Sequence, residues 1–233
     1  MTFETEADVL TWYEAQPTII DKSFLDAVPW NEVKNHPIDP KFAPVLLYMR
    51  DIETMTQVYY DELMASPTGK DPAIATFMAR WAEEEPVHGE LLNRFLEEAG
   101  LSEDKKWKEN LFGNMSIAYR MHKWVQAIAT APFGKRFGAL HMTWGATHEY
   151  STLTGYRRLW ELAKHPVLEH ILRGIAREEA RHAFFYWEVA KLKLNRNEFD
   201  RKLARYILDR LWNPVGQEFK KAEATDLVIR TLF

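Results

Sequence analysis

Residues 85–88 read Glu-Pro-Val-His and residues 179–182 read Glu-Ala-Arg-His, so the Glu-x-x-His spacing occurs twice, each time in a segment with helical periodicity. Residues three apart project from one face of a helix, about 5–6 Å from each other, so this carboxylate and imidazole can share a metal ion. Two helices with such pairs, together with two helices that each supply a glutamate, can enclose a pair of metals. The two quartets therefore predict a di-metal carboxylate site inside a helical bundle.

A short motif of this kind needs support from its surroundings, because a Glu-x-x-His spacing also arises by chance. The chain has no cysteine, which excludes thiolate zinc and iron–sulfur sites, and it contains no His-Glu-x-x-His zinc helix. The alternative is that each pair is a surface contact between a glutamate and a histidine on an exposed helix face.

The composition is that of a globular protein, with 46% hydrophobic and 27% charged residues, and we predict one domain over residues 1–233. No apolar stretch is long enough to span a membrane, and the acidic first 30 residues do not resemble a signal peptide. The net charge of −4 argues against nucleic-acid binding. With no cysteine, these features favour a cytoplasmic location.

Helical periodicity dominates the chain, and no alternating strand pattern stands out. We predict an all-α fold, a ferritin-like helical bundle with short extra helices at both ends. A further helix is expected from residue 102 to about residue 129. The four core helices are predicted at about 42–65, 71–99, 135–163 and 166–194.

Each predicted core helix carries one glutamate of interest, and its neighbours on the same helix face are mostly apolar or small. An ionised glutamate on such a face costs several kcal/mol unless it is paired or binds a cation. Two divalent metals would compensate four of them most simply. The alternative is that the assumed helix phase is wrong and some of them face water. The candidate metal ligands are Glu53, Glu85, His88, Glu149, Glu179 and His182.

Residues 81–92 read Trp-Ala-Glu-Glu-Glu-Pro-Val-His-Gly-Glu-Leu-Leu and resemble the Trp-x-x-Glu-Glu-x-x-His-Gly-Asp-Leu-Leu helix of the soluble di-iron acyl-carrier-protein desaturases. Residues 178–182, Glu-Glu-Ala-Arg-His, correspond to the Asp-Glu-Lys-Arg-His of that family. Glu149 precedes Thr152 by three residues and Glu53 precedes Tyr59 by six, as in the same enzymes. The resemblance covers about residues 42–194.

This resemblance implies two iron ions, with manganese as an alternative, and O2 as co-substrate. It implies that Glu53 and His88 hold one ion, Glu149 and His182 hold the other, and Glu85 and Glu179 bridge them. It also implies that the catalytic residue Thr152 donates a hydrogen bond to bound oxygen or relays protons. Alternatively, this threonine bonds to its own helix backbone.

Three further expectations concern the surroundings of the site. Pro86 should kink its helix or force a local bulge, because proline removes one backbone hydrogen bond. Gly145 and Ala146, one turn before Glu149, are candidates for the lining of a substrate path, or else for close helix packing. Residues 191–221 hold nine Lys and Arg against four acids, an excess that could bind an acidic carrier protein.

The leading hypothesis is an O2-dependent di-iron oxidoreductase, similar to an acyl-carrier-protein desaturase, that removes hydrogens from a free or carrier-bound acyl chain. Electrons would come from another protein such as a ferredoxin, since the chain has no cysteine and no nucleotide-binding glycine loop. One alternative is a di-iron oxygenase that hydroxylates or N-oxygenates a smaller substrate. Others are a ferritin-like metal-storage protein and a purely structural bundle. The sequence also leaves a homodimer open.

Overall fold

A computed structural model describes residues 2–102, 104–113, 130–217 and 220–233, and within these ranges all regular elements are helical. The all-α prediction is therefore confirmed. Short 3-10 turns lie between several of the helices. The helices are α1 Glu6–Glu14, α2 Lys22–Ala27, α3 Ala43–Thr54, α4 Thr56–Ala65, α5 Pro72–Glu98, α6 Trp107–Gly113, α7 Phe137–Ala163, α8 Pro166–Arg196, α9 Glu198–Leu211 and α10 Ala222–Leu232.

The long helices pack as two pairs, α3 along α5 and α7 along α8, and enclose two apolar clusters. One cluster is formed in part by side chains from the last turns of α5 and the first turns of α8, with Phe95 and Ile171 among its members. The other cluster includes side chains from the first turns of α5 and the last turns of α8, among them Phe77 and Phe185. The helices α5 and α8 are therefore antiparallel, and their middle turns form a separate layer. This is a ferritin-like bundle.

The ends of the long helices follow local sequence signals. The Asp71 side chain accepts a hydrogen bond from the Ile74 amide, and Pro72 occupies the first helical position of α5. Only Lys164 and His165 separate α7 from α8, and the His165 ring caps α8 through the Leu168 amide. None of the helices described is both long and apolar enough to cross a membrane.

The predicted first core helix, 42–65, is wrong as a single element, because it is interrupted at Met55 between α3 and α4. The Thr56 hydroxyl donates a hydrogen bond to the Glu53 carbonyl at this point. A threonine side chain that occupies a backbone acceptor competes with the regular helical pattern. The interruption lies two residues beyond Glu53, which belongs to the last turn of α3.

The helix α5 continues through Pro86, from Pro72 to Glu98, so it does not end there, and the kink or local bulge expected at Pro86 stays a prediction. An internal proline costs about 3 kcal/mol in an isolated helix. In this bundle α5 packs against α1, α3, α4 and α8, so burial of its faces offsets the lost hydrogen bond. The helix predicted over 102–129 lies mostly outside the described residues, and its described part contains α6.

Candidate metal centre

The middle layer of the bundle brings the six predicted ligands together. Their donor atoms form two groups of four, and within each group the atoms lie within 4.8 Å of one another. All six side chains are buried. The groups share Glu85 and Glu179. One group is Glu53, Glu85, His88 and Glu179, and the other is Glu85, Glu149, Glu179 and His182.

Both histidines direct Nδ1 towards the carboxylates of this cluster. His88 Nδ1 lies 3.2 Å from Glu179 Oε1 and 3.5 Å from Glu53 Oε2. His182 Nδ1 lies 2.9 Å from Glu85 Oε1 and 3.9 Å from Glu149 Oε2. Despite these short separations, neither Nδ1 atom has a hydrogen-bond partner among the described residues.

The opposite ring nitrogens are held by two further glutamates, one from each facing helix. His88 Nε2 on α5 donates to Glu178 Oε2 on α8 at 2.9 Å, and His182 Nε2 on α8 donates to Glu84 Oε2 on α5 at 2.8 Å. A carboxylate that accepts from one ring nitrogen fixes the proton there and leaves the other nitrogen free as a ligand. Each histidine is therefore oriented with Nδ1 facing the cluster, where this nitrogen can serve as a ligand once its proton is displaced.

Residues near the N-terminus support these two outer carboxylates. Tyr13 on α1 donates its hydroxyl to Glu84 at 2.9 Å, and the backbone amides of Ile19 and Ile20 donate to Glu178 Oε1 at 3.0 Å each. These hydrogen bonds hold the two carboxylates in place. A histidine ring that rotated would therefore lose its own hydrogen bond to Glu84 or Glu178.

Two of the inner carboxylates also accept hydrogen bonds from aromatic side chains. Trp81 Nε1 donates to Glu149 Oε1 at 3.0 Å, and the buried Tyr156 hydroxyl donates to Glu53 Oε1. Both donors lie on core helices, so they fix the carboxylate rotamers from within the bundle. Each bond occupies one oxygen of its carboxylate and leaves the second oxygen available to a cation.

Burial and mutual repulsion make the ionised carboxylates of this cluster unfavourable unless positive charge lies beside them. Burial raises the pKa of Glu149 well above its usual range, and the charges of Glu179 and Glu85 raise it further. Burial alone would lower the pKa of His182, but hydrogen bonding to Glu84 and the charge of Glu85 raise it to about 9. Four close carboxylates therefore favour bound protons or cations over the fully ionised state.

The unpartnered atoms provide a direct test of whether metal ions suit this cluster. Within the described part of the chain, four buried donor atoms there lack hydrogen-bond partners: Glu85 Oε1, His88 Nδ1, Glu179 Oε1 and His182 Nδ1. Buried polar groups without partners are rare in native proteins and often mark an absent ion. Carboxylate oxygens and neutral imidazoles are also the donors that divalent iron and manganese accept. The residues fit two such ions.

The glycine after His88 allows the helices around the site to approach closely. A Cβ atom at Gly89 would lie 2.3 Å from Thr54 Oγ1 and 3.1 Å from the Arg50 carbonyl oxygen, both on α3. Any other residue would push α5 away from α3, and with it His88 away from Glu53. The His-Gly pair of the sequence motif therefore has a steric cause.

A cavity of about 260 Å³, here called the inner cavity, lies beside the cluster. Its walls include several cluster glutamates together with Trp144, Gly145, Tyr186 and Thr152. Ala146, a candidate for its lining, is instead buried in the apolar cluster at one end of the bundle. Gly145 does border the cavity, but a Cβ atom there would lie 2.3 Å from the Tyr186 ring.

Thr152 lines the inner cavity. The adjacent Ser151 and Thr154 hydroxyls donate to backbone carbonyls one turn earlier, each at 2.7 Å. Among the described residues, no such partner is found for Thr152, so the alternative in which it bonds to its own helix is not supported.

A family model described as fatty acid desaturase matches residues 48–206. The chain belongs to the fatty acid desaturase family. As a member of this family it is an oxidoreductase that acts on fatty acyl chains, and the matched range contains every residue of the metal-centre cluster. No curated protein and no solved structure matches the chain.

Sequence reasoning missed several residues of this desaturase-family site. Glu84 and Glu178 carried a signal, because each directly precedes a predicted ligand in its quartet. Tyr156 and His141 carried no such signal in the sequence, because their places in the site depend on contacts between helices that are distant along the chain. His141 lines the inner cavity, and burial lowers its pKa to about 3, so its imidazole is neutral.

Proposed function

We propose that this fatty acid desaturase family member is a di-iron, O2-dependent oxidoreductase of the acyl-carrier-protein desaturase type. The observation that carries the proposal is the pair of four-residue donor groups that share Glu85 and Glu179. Two groups with two members in common match the expectation of two metals joined by two bridging carboxylates. In this assignment Glu53 and His88 complete one metal site, while Glu149 and His182 complete the other.

Two iron ions held there would supply the oxidising chemistry that removes hydrogen from an unactivated C–H bond with O2. The protein residues orient the ligands and exclude water. Glu84 and Glu178 keep the histidine protons on Nε2, and the buried Trp81 and Tyr156 hold two carboxylates. Thr152, which faces the inner cavity, is the residue assigned to hydrogen bonding or proton delivery during the reaction.

The reaction requires a source of electrons. Removing two hydrogens from adjacent carbons while one O2 is reduced to two waters consumes two further electrons and two protons. The chain has no cysteine for a redox disulfide or an iron–sulfur cluster. An external protein such as a ferredoxin is therefore proposed as the donor, and the acyl chain is proposed to arrive free or on a carrier protein.

A second candidate is a di-iron oxygenase that acts on a smaller acyl substrate. The polar character of part of the inner cavity favours it, since His141, His148 and Glu62 line the cavity together with apolar residues. His141 Nδ1 is buried without a hydrogen-bond partner in the described ranges and could bind a polar group of a substrate. Product analysis separates the candidates, because one reaction yields a double bond and the other adds oxygen.

Metal content tests the assignment. Protein produced in iron-replete medium is expected to contain close to two metal equivalents, and elemental analysis distinguishes iron from manganese. Glu85→Ala and Glu179→Ala should each lose most of both ions, because each is assigned as a bridge. Glu83→Ala, an exposed neighbour on α5, is the matched control and should retain both ions. Full metal content in the two bridging variants would refute the assignment.

A further inference from the structure

A second cavity of about 250 Å³, here called the C-terminal cavity, lies next to the inner cavity. The two cavities share four lining residues: Ile52, Glu53, Thr152 and Val215. The remaining lining of the C-terminal cavity is almost entirely apolar and includes Met49 on α3 and Gly155 on α7. The apolar C-terminal cavity is therefore the immediate neighbour of the inner cavity, and Thr152 borders both.

The far wall of this compartment comes from the last part of the chain. Its residues lie between Trp212 and Phe233 and include Val228 and Leu232 of α10. The family match ends at residue 206, so the whole wall lies beyond the matched range. The matched range contains the metal centre but does not contain this wall.

Specific hydrogen bonds hold the wall against the bundle. The buried Tyr48 hydroxyl donates to the Val215 carbonyl at 2.8 Å and lies 3.1 Å from Thr225 Oγ1 at the first turns of α10. At the other end of that helix, Arg158 Nε on α7 donates to the Leu232 carbonyl at 3.3 Å. The cavity is therefore preformed, because its wall is anchored at both ends.

We propose that the C-terminal cavity binds the apolar segment of the acyl chain that extends beyond the reacting carbons, and that α10 limits its length. The proposal rests on the acyl substrate of the proposed function. A slender apolar ligand is the class that suits a compartment with few polar groups that shares Glu53 and Thr152 with the cavity beside the metal centre.

The glycine in the cavity wall is consistent with this role. A Cβ atom at Gly155 would make ordinary contacts, at 3.5 Å to Leu232 Cδ1 and 3.6 Å to Met49 Cε. An alanine is therefore tolerated there, whereas a leucine must extend into the compartment. Gly155→Leu narrows the space from α7, and Val228→Phe narrows it from α10.

The experiment measures binding of free saturated fatty acids of graded length, by displacement of a fluorescent fatty acid from the iron-loaded protein. Val228→Phe is compared with Leu227→Phe, since Leu227 is the adjacent, exposed residue of α10 and does not line the cavity. Affinity of Val228→Phe for the longest chains should fall about tenfold, as expected for the loss of roughly two buried methylene groups. Its affinity for the shortest chains, and all affinities of Leu227→Phe, should match those of the parent.

Gly155→Leu should reproduce the length-dependent loss from the opposite wall, and Gly155→Ala should bind like the parent. Equal affinities of Val228→Phe, Gly155→Leu and the parent at every length would overturn the proposal, as would a parent protein that binds no fatty acid. Metal content is measured on the same samples. If the parent protein contains two irons but binds no fatty acid, the proposed acyl site is contradicted and the di-iron assignment is not. If the parent protein does not contain two irons, the di-iron assignment itself is contradicted.

Discussion

His88 on α5 and Glu178 on α8 are joined by a buried hydrogen bond of 2.9 Å between the imidazole Nε2 and a carboxylate oxygen. The reverse pair, His182 on α8 with Glu84 on α5, has a bond of 2.8 Å. Each helix thus supplies one histidine and the carboxylate that orients the histidine of the other helix. This reciprocal arrangement couples the geometry of the metal centre to the antiparallel packing of α5 and α8.

The first prediction concerns Glu178→Gln. Loss of the carboxylate charge should weaken control of the His88 proton and lower metal affinity about 10–100-fold, the usual effect of removing such an outer partner. Competition with a chromogenic chelator measures the affinity. Glu83→Gln, an exposed neighbour of Glu84, serves as control and should leave affinity unchanged. Parent-like affinity in Glu178→Gln would show that the hydrogen bond does not orient the ligand.

Features that depend on local spacing can be predicted from the sequence. The 3.6-residue period locates the long helices, and the i, i+3 rule places Glu85 beside His88 and Glu179 beside His182. Apolar neighbours indicate that these glutamates face inward, and all of them are buried. Their role as metal ligands stays a prediction that the metal-content experiment tests.

Features that depend on contacts between helices could not be predicted. Helical periodicity does not reveal the break at Met55, where the Thr56 hydroxyl donates to the Glu53 carbonyl. The histidine partner of Glu84 lies 98 residues away along the chain. Ala146 and Gly145 are neighbours in sequence, yet one is packed in the apolar cluster and the other borders the inner cavity. A rotation of about 100° per residue separates them, and only the packing of the helices fixes that phase.

The second prediction concerns Gly145→Ala. The new Cβ atom would lie 2.3 Å from Cε1 of the buried Tyr186 ring, so the variant should lose about 1–3 kcal/mol of unfolding free energy through overpacking. Gly138→Ala is the matched control on the same helix, because its Cβ atom would meet the flexible Lys193 side chain at 3.5 Å. Chemical denaturation should show that variant to be as stable as the parent or slightly more stable. Equal stability of both variants would mean that Tyr186 yields at little cost.

The third prediction concerns the hydroxyl of Thr152. Thr152 lines the inner cavity, and Thr152→Val keeps the shape of its side chain but removes the hydroxyl. Turnover should fall about tenfold, which is equivalent to one hydrogen bond of about 1.4 kcal/mol, with metal content and thermal stability unchanged. Thr154→Val, an exposed position on the same helix, should retain full turnover. Unchanged turnover in Thr152→Val would remove this residue from the proposed catalytic set.

The fourth prediction concerns the basic residues at the C-terminal end, the proposed binding surface for an acidic carrier protein. Several of them are already paired within the molecule, since Lys193 and Arg196 contact Glu6 and Lys220 contacts Asp51. The exposed residues of α9 are different, because Lys202 and Arg205 pair with acids of the same helix. Exposed pairs of this kind contribute little to stability and leave the side chains able to engage a partner.

Charge reversal at Arg201, Lys202 and Arg205 should therefore weaken carrier binding without reducing stability. The loss should be largest at low ionic strength and shrink as salt is added, because electrostatic attraction between exposed charges is screened over about 10 Å at 0.1 M salt. Surface-immobilised acyl carrier protein provides the binding assay. Single reversal of Lys22, an exposed residue of α2 on another part of the chain, is compared with single reversal of Lys202, so that both variants change the net charge by the same amount. Equal weakening by both changes would indicate a general charge effect, and absence of carrier binding in the parent would favour a free acyl substrate.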